Sequence, residues 1–351
     1  MTFSALDHPI LSALLGDDEI AVLFAFPADW RAMLDFESAL AAAQAAHGLI
    51  PPAAATRIAE VCATLAPEIG LLREGVARDG VVTVALVKQL RAAVGAEHGP
   101  HLHRGVTSQD VIDTALMIRL KRAAMLIDAR LLALIAAFDA LSARDGDTRL
   151  MARTRMQRAL PFTARDKIAN WRAPLARHRA RLAAVAPHIF AIQFGGPIGV
   201  RDPLSEGGDA VAADLARRLG LADAPCWHSQ RDRLFEFAAW LTNVTGTLGK
   251  FGQDIALMAQ NEVADIRLAG GGGSSAMAHK SNPVKAEALV ALARYAGALH
   301  GGLAQALVHE NERSGAAWTL EWLTLPSQVG ATAAATRNAI SLCGDIEFVR
   351  H

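Results

Sequence analysis

The chain has 351 residues, 52% apolar and only 5% aromatic, with 35 basic residues balanced by 35 acidic ones. That length can bury a large core in two or three packed units, and the neutral balance gives no bulk attraction for nucleic acid or a membrane surface. Frequent alanine with few aromatics favours helix over strand.

From the N-terminus, "MTFSALDHPILSALLGDDEI" lacks a basic segment ahead of its apolar part, which speaks against a signal peptide. No stretch supplies ~20 uninterrupted apolar residues, so no membrane span is expected. Cys62, Cys226 and Cys343 are odd in number and far apart, which suggests a reducing compartment without a disulfide framework. These features place the chain in the cytoplasm. No Cys/His cluster has zinc spacing, and no metal is expected.

"DWRAMLDFESALAAAQAAHGLIPP" reads as one amphipathic helix stopped by Gly48 and the Pro51-Pro52 pair. Shorter helical pieces follow, with "REGVARDGVV" as a loop. From Thr107 the rhythm changes. Leu120, Ala124, Ile127, Leu131, Leu134, Phe138 and Leu141 recur in steps of three and four. The same spacing runs from Ile168 to Ile189 and from Leu234 to Met258, and more weakly from Ala288 through Tyr295 to Ala306. Alternating steps of three and four put one apolar seam along a helix packed at a shallow angle, and several such helices make a bundle. Gly246, Gly249 and Gly252 suggest close backbone approach within it. The expectation is all-α: a small N-terminal helical domain, 1–106, and a long-helix bundle domain, 107–351.

Three polar stretches interrupt this pattern. "HLHRGVTSQDVIDTA", His101 to Ala115, offers Thr107 and Asp110 as a capping box. Free N–H groups and hydroxyls at a helix start also make an anion site, so for Thr107 and Ser108 both readings stand. "ARTRMQRALPFTARDKIANW", Ala152 to Trp171, is either a solvated basic face or a cleft wall. If it is extended, Arg155 and Gln157 share one side. "LAGGGGSSAMAHKSNPVKAE", Leu268 to Glu287, lacks the spacing and preceding strand of a phosphate loop. It reads as a mobile loop with hydroxyls at Ser274 and Ser275, a cation at Lys280, and Asn282-Pro283 as N-cap and first residue of the next helix.

Together the three stretches resemble the signature regions of the fumarase/aspartase superfamily, in order and over nearly the whole chain. "HRGVTSQDVIDTA" is similar to H-x-G-x-T-S-x-D-x-x-D-T. "RTRMQRALPFTARDK" is similar to R-T-H-x-Q-x-A-x-P-x-T-x-G-x-K, and "GSSAMAHKSNP" to G-S-S-x-M-P-x-K-x-N-P. "VKQLRAAVG" and "HENERSGAAWTLEWLTLP" add likeness to the bacterial branch that cyclises carboxylated muconates.

The resemblance implies a homotetramer with a core of twenty helices and active sites shared between subunits. It also implies a small tricarboxylate substrate and no cofactor. Ser274 stands at the family's loop base and would deliver a proton to carbon. Lys280, Asn282, Thr107 and Ser108 stand at its carboxylate-binding positions. His103, Gln157 and Arg313 are further binding candidates, and Ser275 is a supporting one. Arg155 replaces the usual second-region histidine, and Glu287, which orients that histidine in the family, is kept and could pair with it. Ala278 replaces the loop proline. The chain ends where many relatives continue, so the C-terminal helical domain is expected to be missing or vestigial. Elimination of the adenylosuccinate lyase type, cyclisation of a sulfonated muconate, and a non-catalytic crystallin-like role are the alternative readings.

Overall fold

The computed structural model describes residues 4–201, 207–273, 277 and 280–349. Short helices open the chain: α1 (Ser12–Leu15), α2 (Asp18–Phe24), α3 (Phe26–Ala46), α4 (Pro52–Thr64), α5 (Ile69–Asp79) and α6 (Thr83–Val94). Then come α7 (Ser108–Asp145), a hairpin of β1 (Arg149–Thr154) and β2 (Gln157–Thr163), α8 (Ala164–Ile189) and α9 (Gly208–Leu219). The chain continues with α10 (Asp232–Met258), β3 (Ile266–Leu268), α11 (Val284–Gln305), α12 (Gly315–Asp345) and β4 (Ile346–Phe348). The fold is mostly helical, as the composition suggests. Two small antiparallel sheets, β1 with β2 and β3 with β4, are additions to the all-α expectation.

Helices α7, α8, α10, α11 and α12 pack into the bundle. Every seam residue of α7 and α10 is buried, because steps of three and four keep one stripe facing inward over about six turns and about seven turns respectively. In α11 the expected stripe holds only in part. Ala288, Leu292 and Ala306 are buried, but Tyr295 is 40% exposed, and Leu289, Ala296 and Leu303 are buried in addition. Two of the three bundle glycines meet α11 closely: a Cβ at Gly249 would stand 2.5 Å from Ala293 Cβ, and one at Gly252 2.5 Å from Ala286 O. Gly246 faces open space.

A second apolar cluster gathers Trp30, Phe36, Ile58 and Leu90 from the N-terminal helices with Phe194 and Leu215 from later in the chain. "REGVARD" is not a loop but the second half of α5. Gly75 lets that helix close on α6, where a Cβ would fall 2.7 Å from Ala85 Cβ, and Gly80 at φ 74° ends it.

The bundle has two ends, and helix length separates them. With 38 residues at roughly 1.5 Å each, α7 is about 57 Å long. The first polar stretch lies at its start and the second beyond its finish. Helices α10 and α12 also begin at the first end, where Arg231 and Trp318 reach Asp113. They finish at the other, where Asp254 meets Trp171 and Lys285 meets Asp345.

Candidate active site

At the first end Thr107 caps α7, its N–H donating to Asp110 Oδ2 at 2.9 Å. Asp110 is fully buried and also accepts from the Gly195 and Gly196 N–H groups, each at 2.9 Å, and from His228 Nε2 at 2.8 Å. Burial alone would lower the His228 pKa. The hydrogen bonds and charges of Asp110 and Cys226 together outweigh it, and the ring is raised to about 9.

One turn further along α7, Asp113 receives Arg231 at 2.6 Å and the Trp318 indole N–H at 2.9 Å, while Arg231 also donates to Glu321 at 2.6 Å. Arg231 is 2% exposed, and its two carboxylates hold the guanidinium charged despite burial. Gln109 bridges this cluster to Arg313, whose Nε donates to Gln109 Oε1 at 2.9 Å. His103, in the left-handed region at φ 57°, places Nδ1 2.5 Å from Glu37 Oε1. Burial lowers the His103 pKa, but the charge and hydrogen bond of Glu37 raise it further than burial lowers it. His103, Thr107, Ser108 and Arg313 thus share one end of the bundle, with Ser108 opening the helix, whose N-terminus favours an anion.

Arg155 and Gln157 lie at the other end, in the hairpin. Arg155 and Met156 form its two-residue loop with φ of 49° and 67°, the twist that closes a tight hairpin but that side chains rarely adopt. Gln157 opens β2 opposite Thr154, exposed. A cleft of about 460 Å³ runs beside the loop and is lined on its polar side by Arg153, Arg155, Lys167, Lys250, Asp254 and Asp265. Asp265 takes Arg153 at 2.7 Å, and Asp254 takes Lys167 at 3.0 Å together with Lys250. Burial raises the Asp254 pKa, but its lysines and the Trp171 N–H lower it more. Arg155 alone of the four cations has no ion-pair partner among the described residues. In particular, it does not pair with Glu287, which is exposed in the first turn of α11.

The third stretch begins beyond β3, whose pairing with β4 fixes it beside the end of α12. Lys280 is exposed, and Asn282 exchanges backbone hydrogen bonds with Gly272 at 2.8 Å each way. Because that bridge uses its main chain, Asn282 does not cap α11. The cap residue is Pro283, one position later than expected. Ser274 and Ser275 lie outside the described residues, as does Ala278. Among the described residues no group of three or more His, Cys, Asp or Glu side chains is arranged to hold a metal ion, and no helix is long and apolar enough to cross a membrane.

Asp113, His228, Arg231 and Glu321 were not singled out from sequence. One signal was available: Asp110, Asp113 and Met117 fall in steps of three and four, so charges sit on a buried stripe and demand partners.

The profile of a family described as Lyase matches residues 20–296, and the chain belongs to this lyase family, the fumarase/aspartase superfamily that its three stretches resemble. It is 42% identical to 3-carboxy-cis,cis-muconate cycloisomerase of Pseudomonas aeruginosa, over 90% of this chain and 71% of that protein. It is 38% identical to the enzyme of the same name from Bradyrhizobium diazoefficiens, over 97% and 77%. The crystal structure of 3-carboxy-cis,cis-muconate lactonizing enzyme from Pseudomonas putida superposes with a TM-score of 0.92 at 36% identity, covering 98% of this chain and 78% of that one.

Proposed function

We propose that this protein is a cycloisomerase that closes 3-carboxy-cis,cis-muconate to 4-carboxymuconolactone, the reaction of the protocatechuate branch of aromatic catabolism. The 42% identity to the Pseudomonas aeruginosa cycloisomerase over 90% of the chain carries the reading. One substrate carboxylate adds across a conjugated double bond, and a proton is placed on the carbon beside another carboxylate. Negative charge builds on that second carboxylate as an enolate-like species, so the useful groups are donors and cations fixed in advance.

Thr107, Ser108, Lys280 and Asn282 fill this role, with Ser274 delivering the proton. Ser275 and Glu287 are supporting residues, Glu287 at the position that orients the second-region group in relatives. The nucleophile belongs to the substrate, so a guanidinium can stand where relatives have a histidine. Arg155, without an ion-pair partner among the described residues, lines the cleft with three other cations and two carboxylates, and it suits a tricarboxylate, which it can hold bidentately. Gln157, His103 and Arg313 complete the binding groups.

The ends of α7 lie about 57 Å apart, so the first and second stretches of one chain cannot meet on one substrate. This supports sites shared between subunits of a homotetramer around a twenty-helix core. So do Met156 and Leu160, which the hairpin leaves 75% and 73% exposed. On the same reading, residues 1–106 form the N-terminal helical unit and 107–351 the bundle unit of a cytoplasmic enzyme.

The test follows the ultraviolet absorbance of 3-carboxy-cis,cis-muconate. Wild-type protein should remove the conjugated-diene band, and Ser274→Ala should do so at least ~100-fold more slowly. Equal rates would take Ser274 out of the mechanism, and an inert wild type would end the cycloisomerase reading.

A further inference from the structure

Cys226 differs from the other two thiols. Cys62 and Cys343 are buried, and burial pushes each up to about 12, so both are inert packing groups. Cys226 is half-buried between α9 and α10. It lines an open groove of about 570 Å³ with Gly199, Arg201 and Pro225. His228 lies against it, 2% exposed. One ring nitrogen of His228 is held by Asp110; the other, Nδ1, is buried and meets no oxygen or nitrogen partner among the described residues. The thiol interacts with the ring, and both border Gly199, where a Cβ would stand 3.6 Å from Cys226 Sγ and 3.7 Å from His228 Nδ1. Carboxylate, imidazole and thiol therefore follow one another as Asp110, His228 and Cys226. A ring oriented by a carboxylate and facing a half-exposed thiol is the arrangement that makes thiols reactive. The lactone chemistry proposed above has no use for a thiol.

We propose that Cys226 is a reactive site that exchanges with low-molecular-weight disulfides, and that its adduct weakens substrate binding at the first end of the bundle. The Cys226 sulfur attacks one sulfur of the disulfide, whose S–S bond breaks as a new one forms. The other half leaves as a thiol, taking up the proton that Cys226 gives up. One thiol and one disulfide are consumed and one of each is produced, so no further oxidant is needed.

The path to the site is short. A Cβ at Gly195 would collide with Cys226 Sγ, so the two are packed without slack. Gly195 and Gly196 donate to Asp110, and Asp110 accepts the Thr107 N–H. An adduct that levers Cys226 against Gly195 pulls on the carboxylate that positions Thr107. This second limb rests on the role proposed above for Thr107; the exchange itself does not.

The experiment treats native protein with oxidised glutathione at neutral pH, locates the adduct by mass spectrometry, and counts maleimide-reactive thiols before and after urea unfolding. One adduct per chain is expected at Cys226, forming at least ~tenfold faster than on free N-acetylcysteine and absent in Cys226→Ser. The remaining two thiols should react only after unfolding. His228→Asn should slow the exchange ~tenfold. The adduct should raise KM at least ~threefold with kcat within about twofold, as loss of an interaction shared by ground and transition states does. Adducts at Cys62 or Cys343, or a rate no faster than the free thiol, overturn the reactive site. An adduct at Cys226 with unchanged KM overturns the coupling. A protein without cycloisomerase activity would end the reading of Proposed function while the mass spectrum still decides the exchange.

Discussion

The two ends of the bundle are built on opposite principles. At the first, Asp110, Asp113, Arg231 and Glu321 are buried and hydrogen-bonded to partners drawn from α7, α12 and the segments after α8 and before α10. At the second, nine consecutive residues, Arg153 to Pro161, are exposed, and Arg155 carries its charge at a strained turn with no ion-pair partner among the described residues. On the shared-site reading proposed above, the first end would be a finished half-site that keeps Thr107 and Ser108 in place. The other offers unpaired charge and uncovered apolar surface. A site shared between chains needs both kinds, because the half that receives must be fixed before the half that is offered can complete it.

The largest effect should come from breaking the finished end. Asp113→Ala strips Arg231 of one carboxylate and leaves the Trp318 N–H without its acceptor, and a broken buried pair costs about 3–5 kcal/mol. Urea denaturation measures it. A loss below about 1 kcal/mol would mean that water enters this end freely.

Next is pH. The folded His228 is raised from 6.5 to about 9 with Asp110 as its partner. Its contribution is therefore complete below the unfolded value of 6.5 and is lost as pH rises through 9. At 1.36 kcal/mol per unit this amounts to about 3 kcal/mol. His178, on α8, has the opposite sign. Burial, then the charges of Arg181 and Arg177, lower it to about 4, so its contribution is present above 6.5 and is lost as pH falls toward 4. Stability measured against pH should form a dome with wings on both sides of 6.5. His228→Gln should flatten the alkaline wing alone, and an unchanged alkaline wing in that variant would remove the assignment.

What the sequence revealed follows from this same contrast. The seams of α7 and α10 were readable because large apolar residues alternate with polar ones at a single period. In α11 nearly every face carries alanine, so the spacing did not choose between Tyr295 outward and Leu289 inward. The hairpin was hidden for another reason. "RTRMQRALPFT" shows neither strand alternation nor an Asn-Gly turn, and its loop is made by Arg155 and Met156 against their own preference. Motif spacing singled out Thr107, Ser108 and Arg155 as candidates. It did not find Arg231 or His228, because their partners stand 90 and 118 residues away in the chain and only the packed bundle joins them.

A smaller effect separates the glycines. Gly252→Ala puts a methyl group 2.5 Å from Ala286 O and 2.8 Å from Leu289 Cβ, and overpacking of this kind costs about 1–3 kcal/mol. Gly246→Ala meets nothing within 4 Å in its own chain, so helix propensity alone would stabilise by about 0.5–1 kcal/mol. Thermal melting of both variants, with light scattering for subunit number, tests this. If Gly246→Ala destabilises and releases smaller species, a neighbouring subunit packs on that face of α10.

The smallest effect on stability belongs to the hairpin loop, and it separates strain from chemistry. Met156→Gly relieves a left-handed residue whose strain is about 1 kcal/mol, partly offset by the chain entropy that glycine adds, so the net gain should be several tenths of a kcal/mol. Arg155→Gly relieves the same kind of strain at φ 49° and should melt much like Met156→Gly. The two should part in turnover. Met156→Gly keeps the guanidinium at the cleft and should retain activity within about threefold, whereas Arg155→Gly removes a charge-assisted bond to substrate worth about 1.5–3 kcal/mol and should raise KM at least ~tenfold. Equal losses in both variants would mean that the rigid turn serves the site and its charge does not. A KM unmoved by Arg155→Gly would place the carboxylate partner at the finished end of the bundle, with Arg313 and the N-terminus of α7.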